Sequence, residues 1–251
     1  MTSDFSCGIN GNELNPKNTL LISILGNSSA MSIYTLNIDY KDTYSFLISH
    51  QLGLENAVIN KAHRNLTVVE QMEEVNVQDD ILSIDADYHI VQFGIVDCAP
   101  RLYTQKQGRY LALFPGRKFL IRFMSKHRFF FTKRFPKVYV EKEKFRRGTH
   151  SLIETIIEKT RSKKVFVINI PQTTQRMTSR SFGIEKNIDD YNQIIKEVSA
   201  LFADKVFFIG LYERTKSDPD LMSEDGIHIT KKAHKMLAGL ICETIRKEEI
   251  Q

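Results

Sequence analysis

Asp225 and His228, three residues apart in Asp225-Gly226-Ile227-His228-Ile229-Thr230, are the groups that acid–base work on a hydroxyl nucleophile requires. A hydroxyl attacks poorly until a neutral imidazole takes its proton, and that imidazole needs a carboxylate to set its tautomer. A turn at Gly226 can bring both side chains to one surface. The plainer reading is an exposed loop, with Asp225 starting a turn and His228 a solvated neighbour. A candidate hydroxyl stands 200 residues earlier, at Ser28 in Gly26-Asn27-Ser28-Ser29. Serine at a strand-to-helix turn can project its hydroxyl outward while its own N–H helps to hold an oxyanion. Serine in that place is also a common helix N-cap.

Bringing residues so far apart together requires a fold that returns its end to its beginning. Five short apolar runs read as strands: 18–26, 56–60, 88–94, 164–170 and 205–211. Helical spacing is expected over 40–52, 67–75, 150–163, 187–202 and from 230 to about 247. Strands alternating with helices predict parallel βαβ units. The expected class is α/β, a three-layer α/β/α sandwich around a five-stranded, mainly parallel sheet of flavodoxin-like type. Ligands of such sheets gather at the carboxyl ends of the strands, where Ser28 stands.

Gly-x-Ser after the first strand, together with Asp-x-x-His before the last helix, resembles the SGNH (GDSL-like) hydrolase family. Intermediate blocks follow in the expected order. Asn60-Lys-Ala-His-Arg-Asn65-Leu-Thr67 resembles the family's second block, and Phe93-Gly94-Ile95-Val96-Asp97 its third. The resemblance covers about residues 18–247, apart from a basic insertion. It implies Ser28 as nucleophile, His228 as base and then acid, and Asp225 as the group orienting the imidazole. It also implies an oxyanion held by the N–H groups of Ser28 and Asn65 and by the third-block position, here Val96.

The pattern is broken in three places. Asn27 replaces the usual Asp, and Asn65 a glycine; Asn tolerates positive φ better than most residues. Val96 cannot donate a hydrogen bond, and loss of one oxyanion donor typically costs about 10²–10³ in rate. Arg101, in Asp97-Cys98-Ala99-Pro100-Arg101, is a candidate replacement cation at the mouth of the site; pairing with Asp97 is the alternative. Asp97 and Arg101 therefore join Asn65 as candidate oxyanion or substrate-binding residues. Gly94 to Arg101 also resembles a variant found in SGNH-like proteins associated with bacterial surface-polysaccharide synthesis, which implies a glycan-related substrate. Cys98 reads as a small buried residue. The remaining histidines lack paired metal-ligand spacing, so neither a metal nor another cofactor is expected; His63 is a candidate for the wall of the cleft.

The 251 residues are expected to form a single domain. No apolar run approaches the ~20 residues of a membrane span, the first residues lack a secretory pattern, and the three cysteines are widely spaced. Cytoplasmic residence, with peripheral membrane contact, is the expectation. The net charge of +5 is uneven: from Arg117 to Arg147 twelve Lys/Arg stand against Glu141 and Glu143, or +10, which leaves 5 − 10 = −5 elsewhere. Eight aromatics, from Phe119 to Phe145, interleave with these cations, and Phe119, Leu120, Phe123 and Met124 fit one helical face. This insertion, at about 105–147, is either a helical excursion packed on the domain or a docking surface. An anionic membrane, a lipid-linked glycan or an acidic polysaccharide suits the surface reading; nucleic acid ranks last. The expected function is a serine-dependent acyl-ester hydrolase or acyltransferase acting on an acylated carbohydrate. The rival is a catalytically degenerate saccharide-binding or assembly protein of the same fold.

Overall fold

In the computed structural model, residues 19–53, 56–113 and 115–250 are described; Cys7 and the expected strand start at Asn18 lie outside them. The five apolar runs form strands β1 (Leu21–Gly26), β2 (Ala57–Asn60), β3 (Tyr88–Gln92), β4 (Lys164–Ile168) and β5 (Val206–Ile209). They make one sheet in the order β2-β1-β3-β4-β5, and every pairing is parallel. The helices are α1 (Tyr44–Leu52), α2 (Val68–Gln71), α3 (Glu74–Asn76), α4 (Ile95–Cys98), α5 (Gln105–Ala112) and α6 (Arg117–Lys126). They continue with α7 (Arg128–Arg134), α8 (Lys142–Lys159), α9 (Gln175–Thr178), α10 (Ile184–Ala200), α11 (Leu211–Ser217) and α12 (Lys231–Ile250).

Side chains alternate across a strand, so each run supplies both faces of the sheet. Leu25, Val91 and Val167 face α8 and α10, where Leu152, Ile156, Ile188 and Ile195 complete one core. Ile24, Ile90 and Ile168 face α1 and α12, where Ile48, Leu237 and Ile241 complete the other. Helices thus cover both faces, as parallel strands require, and three layers result. The strand order reverses at β1, which opens a crevice beyond the carboxyl ends of β1 and β3.

Several boundaries differ from the sequence reading. The helix expected at 40–52 begins at Tyr44, because Thr43 turns its hydroxyl to the Phe46 N–H and caps it. The expected 67–75 helix is broken into α2 and α3, followed by a wider π turn over Val77–Leu82. The helix expected from His150 starts at Lys142, so the last residues of the supposed insertion are the first turns of the crossover α8, with Phe145 fully buried. The excursion proper is α5 to α7. Its base is closed by the Arg101 N–H on the Lys137 carbonyl, 2.9 Å, and by the Tyr139 N–H on the Asp97 carbonyl, 3.2 Å.

Two histidines belong to the core rather than to any site. His234 Nδ1 accepts the Tyr44 N–H where α1 meets α12, and His89 of β3 lies against Ser162. Burial pushes both imidazoles down to about 4. Each is neutral in the fold and titrates near 6.5 once unfolded, so protonation favours the unfolded chain. Their contribution is fully present above pH ~6.5 and is lost as pH falls towards about 4. Together they should lower the unfolding free energy by roughly 3–4 kcal/mol between pH 7 and pH 5, measured by urea denaturation.

Candidate active site

Ser28 owes its position to the close of β1 on β3. A Cβ at Gly26 would stand 2.7 Å from the Gln92 carbonyl oxygen, so glycine keeps the two strands paired to their last residues. The chain then enters a short 3₁₀ turn, Ser28–Ala30, whose cap is the buried Asn27; its Oδ1 accepts the Ser29 N–H at 3.1 Å. An amide oxygen does this as well as a carboxylate would. Asn60, ending β2, steadies the same turn by donating to the Ala30 carbonyl at 2.8 Å, while its Oδ1 accepts the Ala62 N–H at 3.0 Å. The His63 N–H bonds the Gly26 carbonyl at 3.0 Å and ties the second block to the end of β1.

At the other end of the chain, Asp225 and His228 lie on a tight loop ahead of α12. Met222 and Ile229 bridge its stem, and the Ser223 N–H reaches the His228 carbonyl at 2.8 Å. Gly226 turns the loop at φ 72°, a conformation that costs a glycine least. Asp225 Oδ1 accepts the N–H groups of Ile227 and His228, each at 3.0 Å, and Oδ2 meets His228 Nδ1 at 2.5 Å. Partial burial raises the Asp225 pKa, but these hydrogen bonds outweigh it and hold the carboxyl below its ordinary value. With Asp225 ionised, Nδ1 carries the proton and Nε2 is left as the acceptor. That atom lies 2.9 Å from Ser28 Oγ. Three groups from opposite ends of the sequence thus form one hydrogen-bonded line, partly open to solvent.

The remaining candidates divide. Asn65 is exposed, at φ 60°, the left-handed conformation for which a glycine would otherwise be needed. Val96 is buried and contributes its side chain to the core beside β3 and α8. Asp97 does not reach the cleft. It is fully buried, and its two oxygens accept the N–H groups of Val68, 2.9 Å, and Gly94, 3.1 Å. Burial pushes its carboxyl up to about 7 against the pull of those bonds. It joins the second and third blocks, and among the described residues it makes no salt bridge with Arg101. Arg101 instead donates Nη2 to the Val96 carbonyl at 2.8 Å and stacks over Tyr139 at 4.1 Å. His63 faces Asp80, with Nε2 3.6 Å from Oδ2. Cys98 is fully buried, and burial raises its thiol pKa. Among the described residues, no group of three or more His, Cys, Asp or Glu is placed to hold a metal.

Sequence reading missed the segment after β4. Thr173 donates its hydroxyl to the Gly226 carbonyl at 2.7 Å, and a Cβ at Gly226 would come 2.3 Å from Thr174 Oγ1. The Asp225–His228 loop is therefore seated on 173–177. The polar run Gln172-Thr173-Thr174-Gln175 after an apolar strand was its only trace in the sequence. Gly226→Ala combines a left-handed backbone with a steric overlap and should destabilise the fold by about 1–3 kcal/mol, read as a lowered denaturation midpoint.

No protein family's sequence profile matches the chain, and no curated protein matches it in sequence. Solved structures do resemble it. A lipase/acylhydrolase from Enterococcus faecalis superposes with a TM-score of 0.64 at 16% identity, over 92% of this chain and 97% of that one. A protein described as a GDSL-like lipase from Parabacteroides merdae gives 0.59 at 14% identity, over 89% and 94%. Axe2, an acetylxylan esterase from Geobacillus stearothermophilus, gives 0.56 at 13% identity, over 89% and 93%. At such identities the likeness speaks for the backbone, and what it establishes is that this chain has the SGNH hydrolase-like fold in a divergent sequence.

Proposed function

We propose that the protein is a serine-dependent acyl-ester hydrolase or acyltransferase acting on an acylated glycan or glycolipid, with a place in surface-polysaccharide synthesis. The observation that carries this reading is the line Ser28 Oγ–His228 Nε2–Asp225, at 2.9 Å and 2.5 Å. Ser28 Oγ attacks the ester carbonyl while Nε2 takes its proton. The resulting imidazolium, held by Asp225, returns that proton to the leaving sugar oxygen as the C–O bond breaks. Water, or a second hydroxyl, then attacks the acyl-serine by the same steps. The oxyanion of each tetrahedral intermediate would fall to the N–H groups of Ser28 and Asn65. An acylated carbohydrate is favoured because two structural neighbours are described as acetylxylan esterases.

A second reading, a non-hydrolytic saccharide-binding or assembly protein of the same fold, is favoured by Val96, which turns an oxyanion position over to the core. A fluorophosphonate separates the two. The hydrolytic reading expects covalent labelling that Ser28→Ala abolishes, with a fall of about 10³ or more in ester turnover for His228→Ala. Absence of labelling in every variant would favour the binding protein.

A lipid-linked substrate is met at a membrane, and cytoplasmic, membrane-peripheral residence belongs to this reading. No described helix is long and apolar enough to cross a bilayer. Support for a surface contact lies in the excursion. From Cys98 to Val140 there are eleven Lys/Arg and no acid, and α6 has no buried side chain despite Phe119, Leu120, Ile121, Phe123 and Met124. Phe119 is 80% exposed and Phe130 61%. Basic helices with exposed apolar side chains suit an anionic bilayer. The protein should pellet with phosphatidylglycerol-containing vesicles and not with pure phosphatidylcholine. Salt should release it, and Phe119→Ser with Phe123→Ser should weaken it. No pelleting in low salt would remove the membrane from the reading.

A further inference from the structure

Arg128 stands near two further arginines, Arg101 and Arg180, and the catalytic line uses none of the three. Arg128 of α7 crosses to the main body, where Nε donates to Ser181 Oγ at 2.7 Å and Nη2 to the Pro100 carbonyl at 2.5 Å. Those two contacts place it next to Arg101, which follows Pro100, and next to Arg180, which precedes Ser181. Among the described residues none of the three forms an ion pair with a carboxylate. The nearby carboxylate, Asp97, is buried and has both oxygens on backbone N–H groups. Arg101 Nε is buried without a partner. Burial, and then the positive neighbours Arg101 and Arg180, lower the pKa of Arg128. Like charges held together in this way are stabilised by an anion, and the planar guanidinium fork matches phosphate oxygens.

The cluster is tied to the catalytic loop. Ser181, which holds Arg128, donates its N–H to the Met177 carbonyl at 2.9 Å. Met177 in turn lies against Gly226, between Asp225 and His228. On the other side, a cavity of about 370 Å³ includes Pro100 and Phe182, the neighbour of Ser181, with Lys137, Lys142 and Lys186 and one carboxylate, Glu141, also in its wall. Pro100, whose carbonyl Arg128 holds, is shared by the cluster and the cavity, so an anionic group at the arginines would leave room there for the rest of a ligand.

We propose that Arg101, Arg128 and Arg180 form a subsite for a phosphate or diphosphate group carried by the acylated substrate. The proposal rests on the reading of Ser28 as nucleophile and narrows its substrate to phosphorylated carbohydrates. Arg128 is the central residue, because it joins the excursion to both other arginines, and lysine would not reproduce its two-pronged contact with Ser181 and Pro100.

The test is titration calorimetry of the full chain carrying Ser28→Ala, with inorganic pyrophosphate, glucose 1-phosphate and glucose as titrants. Saturable binding of the two phosphates and none of glucose is expected. A further Arg180→Gln or Arg128→Lys should weaken it by about tenfold or more. Lys126→Gln, which removes an exposed cation of α6, should leave it unchanged. Arg180 is exposed, so its variant keeps the test valid if Arg128→Lys fails to fold, as judged by circular dichroism. Absence of saturable pyrophosphate binding, or an equal loss in Lys126→Gln, overturns the subsite. Binding of pyrophosphate without glucose 1-phosphate overturns the assignment to a sugar phosphate and leaves a site for free anion. With the nucleophile already removed, failure here is distinct from failure of the hydrolytic reading, which shows in fluorophosphonate labelling.

Discussion

The contact on which the site depends is the one between Ser28 Oγ and His228 Nε2, made across 200 residues of chain. It requires that the turn after β1 and the loop before α12 meet at one end of the sheet. Two constraints secure this. β1 pairs with β3 to its last residue because Gly26 adds no Cβ against the Gln92 carbonyl. α12 packs on the Ile24–Ile90–Ile168 face with α1, which brings the loop that precedes it back to the end of β1. Neither is a catalytic feature. Both are ordinary burial and backbone pairing, and the imidazole is placed as their consequence.

Around that line the same economy recurs: one group holds two elements. Asn60 steadies the Ser28 turn from β2, and Thr173 holds Gly226 from the segment after β4. Asp97 shows it most clearly, since its carboxylate joins the N-terminus of α2 to Gly94. A residue that looked, beside Arg101, like part of a binding mouth is thus a buried fastening. Desolvation, which raises its pKa, is offset in part by the N–H bonds it accepts.

The excursion obeys other rules. A core packs apolar side chains away from water, yet α6 buries none of its side chains and leaves Phe119 80% and Phe123 47% exposed, while α7 sends Arg128 inward. Such an exposure of apolar side chains is unfavourable for a domain in water. Of the cations and aromatics, some stand exposed on α6 and α7, while the guanidiniums of Arg101 and Arg128 are partly buried against the main body.

Much was legible without coordinates. The five strands, their parallel order and the two ends of the Ser28–His228–Asp225 line follow from local patterns, because buried parallel strands read as apolar runs and a glycine turn between Asp225 and His228 leaves a short-range mark. Asn65 was also readable, since a left-handed conformation limits which residues can stand there. Packing and long-range pairing were not. That Arg101 would choose the Val96 carbonyl and the Tyr139 ring over Asp97 depends on which neighbours the chain returns to that spot, and Tyr139 comes back only after the whole excursion. The meeting of Arg101, Arg128 and Arg180 has no spacing to betray it, for it is made by three separate elements. Sequence by itself determined the five strands and the candidate groups that follow them, which are local properties of the chain. Tertiary structure decided which of those groups face one another, because desolvation and hydrogen-bond partners are set by residues distant along the chain.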